Sequence, residues 1–376
     1  MSVEIVKVTT LRELKRFIRF NYELYKGNPY FVPEFYEDTV NTLRKDRNAA
    51  FEFCEADYFL AYRDGKIVGR IAAIINPRAN EKWGNKAARF GWVDFIDDTE
   101  VVDALFSTVE AWARERGMTE IQGPLGFTDF DPEGMLVEGF DRDSTMATIY
   151  NHPYYPKHLE RLGYVKDVDW VEFLFKVPGE KWPKAERLSA IVEKKYDMHI
   201  VRAKSCSEIA KRYGDAIFDL CNECYSGLYG FSPLTPKQVK QFVKMYLPFA
   251  DKRLLCLVAD KDDNLVALGI SLFSLTDALR KAKGRLFPFG WWHLFKTLFI
   301  KQPKQLDFLL AAVKPEYQSK GAFAMIFNEL LGHYIEMGIT SIESNPELEY
   351  NKDMQNIWND FEKEQHKRRR AFKKEL

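Results

Sequence analysis

The chain has 376 residues, with 55 basic and 55 acidic side chains and a hydrophobic fraction of 46%. This length exceeds what one hydrophobic core usually organises and favours about two domains. The balanced charge gives no reason to expect a nucleic-acid partner, and the apolar content argues against an intrinsically disordered chain.

The N-terminal segment and the cysteines bear on the compartment. The opening MSVEIVKVTTLRELKRF lacks the apolar stretch of a secretory signal, and no run reaches the ~20 apolar residues that cross a bilayer. Five scattered cysteines are an odd number, which suits a reducing environment. We therefore expect a cytoplasmic protein and leave peripheral contact with the inner membrane open.

Two halves of the chain repeat one order of predicted elements. In each half two helices precede a β-hairpin, which is followed by a strand, a long helix and a further strand. The hairpin turns lie at Asp64-Gly65 and at Asp262-Asp263-Asn264. We predict an α+β fold of two tandem domains, each a mostly antiparallel twisted sheet flanked by helices. The N-terminal domain is expected at 1–177, a linker and connecting helix at 178–198, and the C-terminal domain at 199–376. A helix is expected at 352–364, and the basic tail KEQHKRRRAFKKEL is expected to be the last strand, with alternating exposed cations.

An acidic loop in the first half, GFTDFDPEGMLVEGF at 126–140, resembles the start of a calcium loop but lacks the required twelfth-position glutamate. No metal site is expected here or elsewhere. Asp129 and Asp131 could instead face a cationic amine, with Tyr150, His152 and Tyr155 of the nearby YNHPYY as polar and aromatic walls. The alternative is a loop capped by its own acids.

The segment KAKGRLFPFGWWHLFKTLFIKQPK, at 281–304, has apolar positions at helical spacing from Trp291, widened by Trp292 and surrounded by lysine and arginine. Aromatic bulk with basic flanks is typical of a helix at an anionic membrane interface. The same stripe could wall a tunnel for a long acyl chain, with Trp291 and Trp292 contacting it. An ordinary core helix is the third interpretation.

A turn in the second half has the composition of a phosphate cradle. The predicted strand QLDFLLAAV leads into VKPEYQSKGAFA and then directly into a helix. Gly321 permits close approach to the backbone at the helix N-terminus, and Gln318, Ser319 and Lys320 add donors and a positive charge. The sequence is neither a Walker loop nor a Rossmann fingerprint. We predict a site for a pyrophosphate.

The same residues carry a resemblance to a known family. Val313, Pro315, Gln318 and Gly321 form V-x-P-x-x-Q-x-x-G, which resembles the acyl-CoA-binding motif of the GNAT superfamily of N-acetyltransferases. Asn351 matches an asparagine that opens a later helix beside the CoA arm. The wider pattern resembles bacterial proteins built from two GNAT-like domains, some of which acylate long-chain amino lipids as ceramide synthases do.

The resemblance implies an acyl-CoA-dependent N-acyltransferase with an amine acceptor, which could be long-chain or lipidic. Acyl-CoA or acetyl-CoA would be a co-substrate, with no tightly bound cofactor. The residues implied to contact CoA are Val313, Gln318, Ser319, Lys320, Gly321, Ala322 and Asn351. The first half has the acidic turn 97–100 in the equivalent place, which would repel pyrophosphate, so we expect it to shape the acceptor site instead.

Direct attack of an amine on a thioester needs a base. Asp307 lies on the strand before the motif and shares a face with Val313, Glu343 ends the next strand, and Glu349 precedes Asn351. These three are the catalytic candidates. Two alternatives stay open: a non-catalytic protein that kept the fold, favoured by Phe323 and Trp358 at positions where the motif differs, and a lipid-surface binding protein.

Overall fold

The computed structural model describes residues 2–246 and 250–376. The elements of the first half are β1 (Glu4–Lys7), α1 (Leu11–Leu24), α2 (Tyr36–Thr42), β2 (Glu55–Arg63), β3 (Lys66–Ile75), α3 (Pro77–Trp83), β4 (Ala87–Phe95), α4 (Thr99–Glu115), β5 (Glu120–Gly123), β6 (Met135–Glu138), α5 (Tyr154–Arg161) and β7 (Val165–Lys176).

The second half begins with a helix on the linker. Its elements are α6 (Pro183–Tyr196), β8 (His199–Ile200), α7 (Cys206–Cys224), α8 (Pro236–Tyr246), β9 (Leu255–Ala259), β10 (Leu265–Phe273), α9 (Thr276–Ala282), α10 (Gly290–Phe295), β11 (Gln305–Val313), α11 (Pro315–Gln318), α12 (Ala322–Glu336), β12 (Ser341–Ser344), β13 (Glu347–Leu348), α13 (Lys352–Ile357) and β14 (Lys363–Glu375). A single π-helical turn, Lys296–Ile300, continues α10.

The strands form one continuous sheet in the order β1-β2-β3-β4-β5-β14-β7-β12-β11-β10-β9-β8. Strand β6 pairs with β14, and β13 pairs with β7. Pairing is antiparallel except at β4–β5 and β11–β12, which are parallel. The predicted mixed fold of mostly antiparallel sheets flanked by helices is therefore confirmed, with the two sheets joined edge to edge.

The two halves exchange their last strands. Strand β7, from the first half, pairs with β12 of the second half, and β14, from the end of the chain, pairs with β5 of the first half. β7 and β14 also pair with each other, from Lys363 opposite Phe175 to Lys373 opposite Val165. Side chains from both halves therefore share one face at the centre of the sheet.

Most local predictions agree with the structure. Both hairpins form, with Asp64 and Asp263 in the left-handed conformation that such turns use. The basic C-terminal segment is a strand as predicted, but the expectation that its cations alternate on an exposed face is wrong. Lys367 and Arg369 are buried, because β14 is an internal strand of the sheet with neighbours on both edges.

Helix α12 packs on the second half of the sheet, and its start lies at the end of β11. Helices α9 and α10 follow β10 and lie against the first half, where the amide of Tyr36 donates to Gly284 O at 2.8 Å. Among the described residues, none of the helices combines the length and the apolar character needed to cross a bilayer.

Candidate functional site

Strands β11 and β12 run side by side and then separate. Their register extends from Gln305 opposite Ser341 to Phe308 opposite Ser344, where β12 ends. Beyond it, Asn345 still bonds to Phe308 O, at 3.0 Å, but Glu347 already pairs with Val171 of β7. A wedge-shaped opening therefore follows Phe308, with the edge of β11 on one side.

Side chains donate hydrogen bonds to the backbone carbonyls along the edge of β11 that faces this wedge. Leu309 O accepts from Asn345 Nδ2 at 3.2 Å, Ala311 O from Tyr225 Oη at 2.8 Å, and Val313 O from Gln318 Nε2 at 3.1 Å. The carbonyls are thus occupied by the chain itself. Because the N–H and C=O of one strand residue point the same way, the amides of Ala311 and Val313 also face the wedge. This edge can donate hydrogen bonds to an extended ligand.

The turn after β11 places Gly321 at the N-cap of α12, with φ of +81° and no side-chain cap. The first helical bond is donated by Ala324 to Gly321 O at 2.9 Å, so the amides of Ala322 and Phe323 precede it. Lys320 Nζ lies 4.2 Å from the centre of the Tyr317 ring. Positive charge and first-turn amides meet here, as a pyrophosphate requires.

Two residues of the motif form hydrogen bonds within the protein itself. Gln318 turns back onto Val313 O instead of projecting from the turn, and Asn351 caps α13 by accepting from the amide of Met354 at 3.3 Å. Phe323 packs with Phe327 and Trp358 at centroid distances of 6.1 Å each. Its ring therefore packs in the core, and the groups of the turn that remain available to a ligand are the backbone amides and Lys320.

Substituting Gly321→Asp is expected to abolish CoA binding. A Cβ at this φ is strained and would lie 3.0 Å from Val192 Cγ2, and the carboxylate would repel a phosphate. Gly338→Asp is the matched control, because Gly338 at the other end of α12 has a φ of +68° and open space around it. Calorimetric titration with CoA measures both. Equal affinity of the Gly321→Asp variant and the wild type would remove the turn from the site.

A pair of buried acids lies where β11 and β12 run together. Asp307 and Glu343 are directly opposite on the parallel strands and are 2% and 4% exposed. Glu343 accepts from Gln305 Nε2 at 3.0 Å and from Lys367 Nζ. Neither oxygen of Asp307 has a well-formed hydrogen bond. The nearby Ser274 hydroxyl acts to lower the pKa of Asp307, against the larger effect of burial. Asp307 is the unsatisfied member of the pair.

The exchanged strands complete this buried charge cluster. Lys367 Nζ lies 2.9 Å from Glu172 Oε2, and Arg369 Nε donates to Glu172 Oε1 at 2.5 Å. Lys367 also donates to Asp143 O at 3.0 Å. The cluster thus holds three carboxyl groups, on Asp307, Glu343 and Glu172, against two cations. One of the carboxyl groups is left without a compensating charge.

The pKa values indicate which carboxyl keeps a proton. Although burial opposes it, Arg369 and Lys367 lower the pKa of Glu172 to about 2. Burial, and then the Glu343 charge, raise the pKa of Asp307 to about 8. Burial also lowers the pKa of His366 to about 4, so this imidazole adds no charge near neutral pH. Burial also raises the pKa of Glu343, but the hydrogen-bonded Lys367 opposes this shift, so the retained proton of the Asp307–Glu343 pair lies mainly on Asp307, which becomes a base just above neutral pH.

A second buried carboxyl lies on the opposite face of the same strands. Trp358 Nε1 donates to Glu347 Oε1 at 2.7 Å, and Glu347 Oε2 has no hydrogen-bond partner. Burial raises the pKa of Glu347 to about 7. The Trp358 ring contacts Phe308, which alternates with Asp307 along β11. The sequence analysis missed Glu347, because only the pairing of β13 with β7 shows that this residue is buried.

Comparison with known proteins agrees with this geometry. No protein-family model matches the chain. It is 28% identical to protein YghO of Escherichia coli over 97% of this chain and 93% of that one. It is 27% identical to the bacterial ceramide synthase of Caulobacter vibrioides over 100% and 98%. A solved tandem GNAT protein from the clavulanic acid biosynthesis pathway superposes with a TM-score of 0.55, over 100% of this chain and 98% of that one, at 11% identity.

The chain has a tandem GNAT fold. The superposition covers nearly all of both chains. The strand and helix order occurs twice, and each half has one parallel strand pair, β4–β5 and β11–β12. The predicted fold resemblance is confirmed.

The first GNAT-like half differs at its equivalent turn. Asp98 caps α4 by accepting from the amide of Val101 at 3.2 Å, and it pairs with Arg63 at 2.7 Å. Glu100 pairs with the same arginine at 2.8 Å. A carboxylate already occupies the helix N-terminus here, whereas the corresponding N-terminus at Gly321 in the second half has no side-chain cap.

The acidic loop of the first half is enclosed. Asp129 Oδ1 is fully buried without a partner, although the residue as a whole is partly accessible, and burial raises its pKa to about 7. Asp131 Oδ2 accepts from the amide of Thr128 at 3.0 Å, and burial raises its pKa to about 6. Asp131 therefore caps its own loop, while Asp129 has the free oxygen. Arg89 is the cation that acts on both.

The remaining predicted residues lie apart from this pair of aspartates. Tyr150 and Tyr155 are in the core of the first half, where their hydroxyls bond to Phe140 O at 3.0 Å and to Tyr25 at 2.9 Å. His152 is partly buried, with its ring centre 5.3 Å from that of Tyr154. Glu349 is partly exposed and pairs with Lys166 at 2.6 Å, outside the buried cluster.

Trp291 and Trp292 are 48% and 45% exposed on α10, while Leu294 and Leu298 hold this segment to the core. The interpretation of 281–304 as an ordinary core helix is therefore wrong. The residues that sequence analysis missed, Glu172, Lys367 and Arg369, come together only through the exchange of β7 and β14. Nothing in a single sequence predicts that pairing.

Proposed function

We propose that the chain transfers an acyl group from acyl-CoA to a primary amine. The observation that carries this proposal is Asp307, a buried carboxyl with no well-formed hydrogen bond and a pKa of about 8 where β11 and β12 begin to separate. A tandem GNAT fold supports N-acyl transfer from acyl-CoA in general. Acyl-CoA would be a co-substrate, with its pyrophosphate at the turn 318–322 and its extended arm along the edge of β11.

In this proposal Asp307 removes the proton that makes the acceptor an ammonium ion. The freed nitrogen lone pair attacks the thioester carbonyl, so that a C–N bond forms and the C–S bond breaks, and the proton that the new amide nitrogen loses replaces the one given to the thiolate. Glu347, with its pKa of about 7, is the candidate to protonate the departing thiolate. Asp307 and Glu347 act from opposite faces of the sheet, with the wedge between them.

The acceptor class follows from two supporting observations. The relative from Caulobacter vibrioides is a ceramide synthase. The exposed aromatic side chains of α10 follow α9, which begins just after Ser274, whose hydroxyl acts on Asp307. We propose a long-chain amine as the acceptor. The enclosed acids of the first half, Asp129 among them, are a second place where an ammonium group would be stabilised.

The test is amide formation. The purified chain is incubated with acetyl-CoA or a long-chain acyl-CoA and with a polyamine, an amino sugar or a long-chain amino alcohol, and products are identified by mass. The proposal expects release of free thiol together with the amide of the long-chain amine. Bound acyl-CoA without amide from any amine would contradict it and would favour a non-catalytic acyl-CoA-binding protein.

A further inference from the structure

Large apolar side chains are concentrated in one exposed segment of the second half, where the rings of Trp291, Trp292, Phe295 and Phe299 form a chain of neighbouring contacts. Seven of the thirteen exposed large hydrophobic side chains among the described residues lie between 287 and 300. This aromatic surface consists of Phe287, Phe289, Trp291, Trp292, Phe295, Phe299 and Ile300, with Phe289 74% and Phe299 65% exposed. An apolar patch of this extent on one surface marks an interaction site.

The aromatic surface is surrounded by uncompensated positive charge. No acidic residue occurs between Asp277 and Asp307. Six exposed cations flank the surface, and none of them forms an ion pair within the part of the chain that the structure describes: Lys281, Lys283, Arg285, Lys296, Lys301 and Lys304. Arg285 lies over the Tyr36 ring, 5.0 Å from its centre. Exposed apolar rings flanked along the chain by cations without ion pairs match the acyl boundary and the anionic headgroups of a bilayer.

Buried side chains anchor the aromatic surface to the core. Leu294 and Leu298 are buried in the core that also contains Phe308, and Ala278 and Leu279 of α9 anchor the preceding turn. Arg280 pairs with Asp143 of the first half. The exposed rings therefore project from a braced element, and Trp and Phe side chains need only leave water to enter the interface.

We propose that the aromatic surface docks the protein on an anionic lipid bilayer. Charge complementarity selects this partner: six unpaired cations would oppose a second copy carrying the same surface. Docking does not need the proposed reaction, and it is measured without acyl-CoA or amine. It would place α9, and through Ser274 the neighbourhood of Asp307, near the membrane from which a long-chain amine would come.

Sedimentation with vesicles tests this inference on the full chain. We expect binding to vesicles of phosphatidylcholine mixed with phosphatidylglycerol, and much weaker binding to phosphatidylcholine alone. Phe289→Ser with Phe299→Ser should lower the bound fraction at least tenfold, because two of the most exposed rings are removed. Lys296→Gln with Lys301→Gln should lower affinity by roughly fivefold per charge, an effect that added salt imitates.

The control variant is Leu188→Ser with Ile191→Ser, which removes two exposed apolar side chains of α6 (42% and 52% exposed) outside the aromatic surface and should bind as the wild type does. Unchanged vesicle binding by the Phe289→Ser, Phe299→Ser variant would overturn the proposal. A second result would also overturn it: the wild type does not bind vesicles but forms concentration-dependent dimers, and the Phe289→Ser, Phe299→Ser variant does not. The aromatic surface would then bind a second copy of the chain.

Discussion

Replacing Asp307 with asparagine is expected to lower the rate of amide formation by about 10²–10⁴, the usual contribution of a positioned general base. Asparagine keeps the shape of the side chain but cannot accept the proton of the ammonium ion. Binding of acyl-CoA should be unchanged, because a bulge between Phe308 and Leu310 places Asp307 on the opposite face of β11 from Val313, contrary to the expectation from the sequence that the two share a face. The measurements are single-turnover amide formation and calorimetric titration of the same preparation.

The pH dependence gives this substitution a second readout. Asp307 is active when ionised, so the wild-type rate should rise up to its pKa of about 8, and Glu347 is active when protonated, so the rate should fall above about 7. The result is a bell with apparent pKa values near 7 and 8. The pH–rate profile of Asp307→Asn should keep only the falling limb. The profile is measured with an acceptor of known pKa, so that ionisation of the amine can be separated from that of the protein.

Stability should respond in the opposite direction from activity. The folded pKa of Asp307, about 8, lies above the unfolded value of ~3.9, so the folded state loses stability as pH rises from about 4 to about 8. Asparagine does not ionise and avoids that loss. The melting temperature of Asp307→Asn should therefore equal or exceed that of the wild type, most clearly at pH 8.

A matched carboxyl separates catalysis from a general loss of charge. Glu349→Gln removes a partly exposed carboxylate near the same strands, and its rate should stay within about twofold of the wild type, since exposed ion pairs contribute little. If Asp307→Asn were as active as Glu349→Gln, Asp307 would not be the base, even if the chain still binds acyl-CoA.

Lys367→Met should destabilise the protein by about 3–5 kcal/mol, because it leaves buried Glu343 without its cation and leaves Glu172 with Arg369 alone. The Lys367 side chain is fully buried and contacts both Glu172 and Glu343. Its loss also affects both halves, since β14 lies between β5 and β7. Thermal or urea unfolding measures the effect. The cost should shrink at acid pH, where the carboxylates become protonated.

Two comparisons sharpen the Lys367 prediction. Lys373 on the same strand pairs with Asp167 at 2.9 Å but is 46% exposed, so Lys373→Met should cost less than about 1 kcal/mol. Adding Glu343→Gln to Lys367→Met should recover part of the stability, because one unpaired charge is then removed. A Lys367→Met protein that unfolds like Lys373→Met would contradict the buried cluster.

Local features of the fold were predictable and its long-range pairing was not. Strand β11, the turn to Gly321 and the start of α12 follow from alternation, a glycine and helical spacing in contiguous residues. The predicted helix 352–364 is shorter, because α13 ends at Ile357 and residues from Lys363 pair as β14. The partner of β14 lies more than 180 positions away, and its choice depends on packing that a single sequence does not display.

The candidate site shows the same division. Asp307 and Glu343 were expected on neighbouring strands, and the parallel register places them opposite each other. Their consequences, a retained proton and a pKa of about 8, required Lys367, Glu172 and Arg369, which sequence analysis had placed on exposed strand positions or not considered. Charge alone cannot distinguish a solvated lysine from one buried between two carboxylates.

Calorimetric titration with CoA and with a long-chain acyl-CoA, kept below its micelle-forming concentration, tests the central claim most directly. The structure leads us to expect one site per chain, since the equivalent turn of the first half carries the Asp98 carboxylate at its helix N-terminus, and tighter binding of the long-chain thioester. No binding of either ligand, or two equal sites per chain, would contradict an acyl-CoA site formed by the second half.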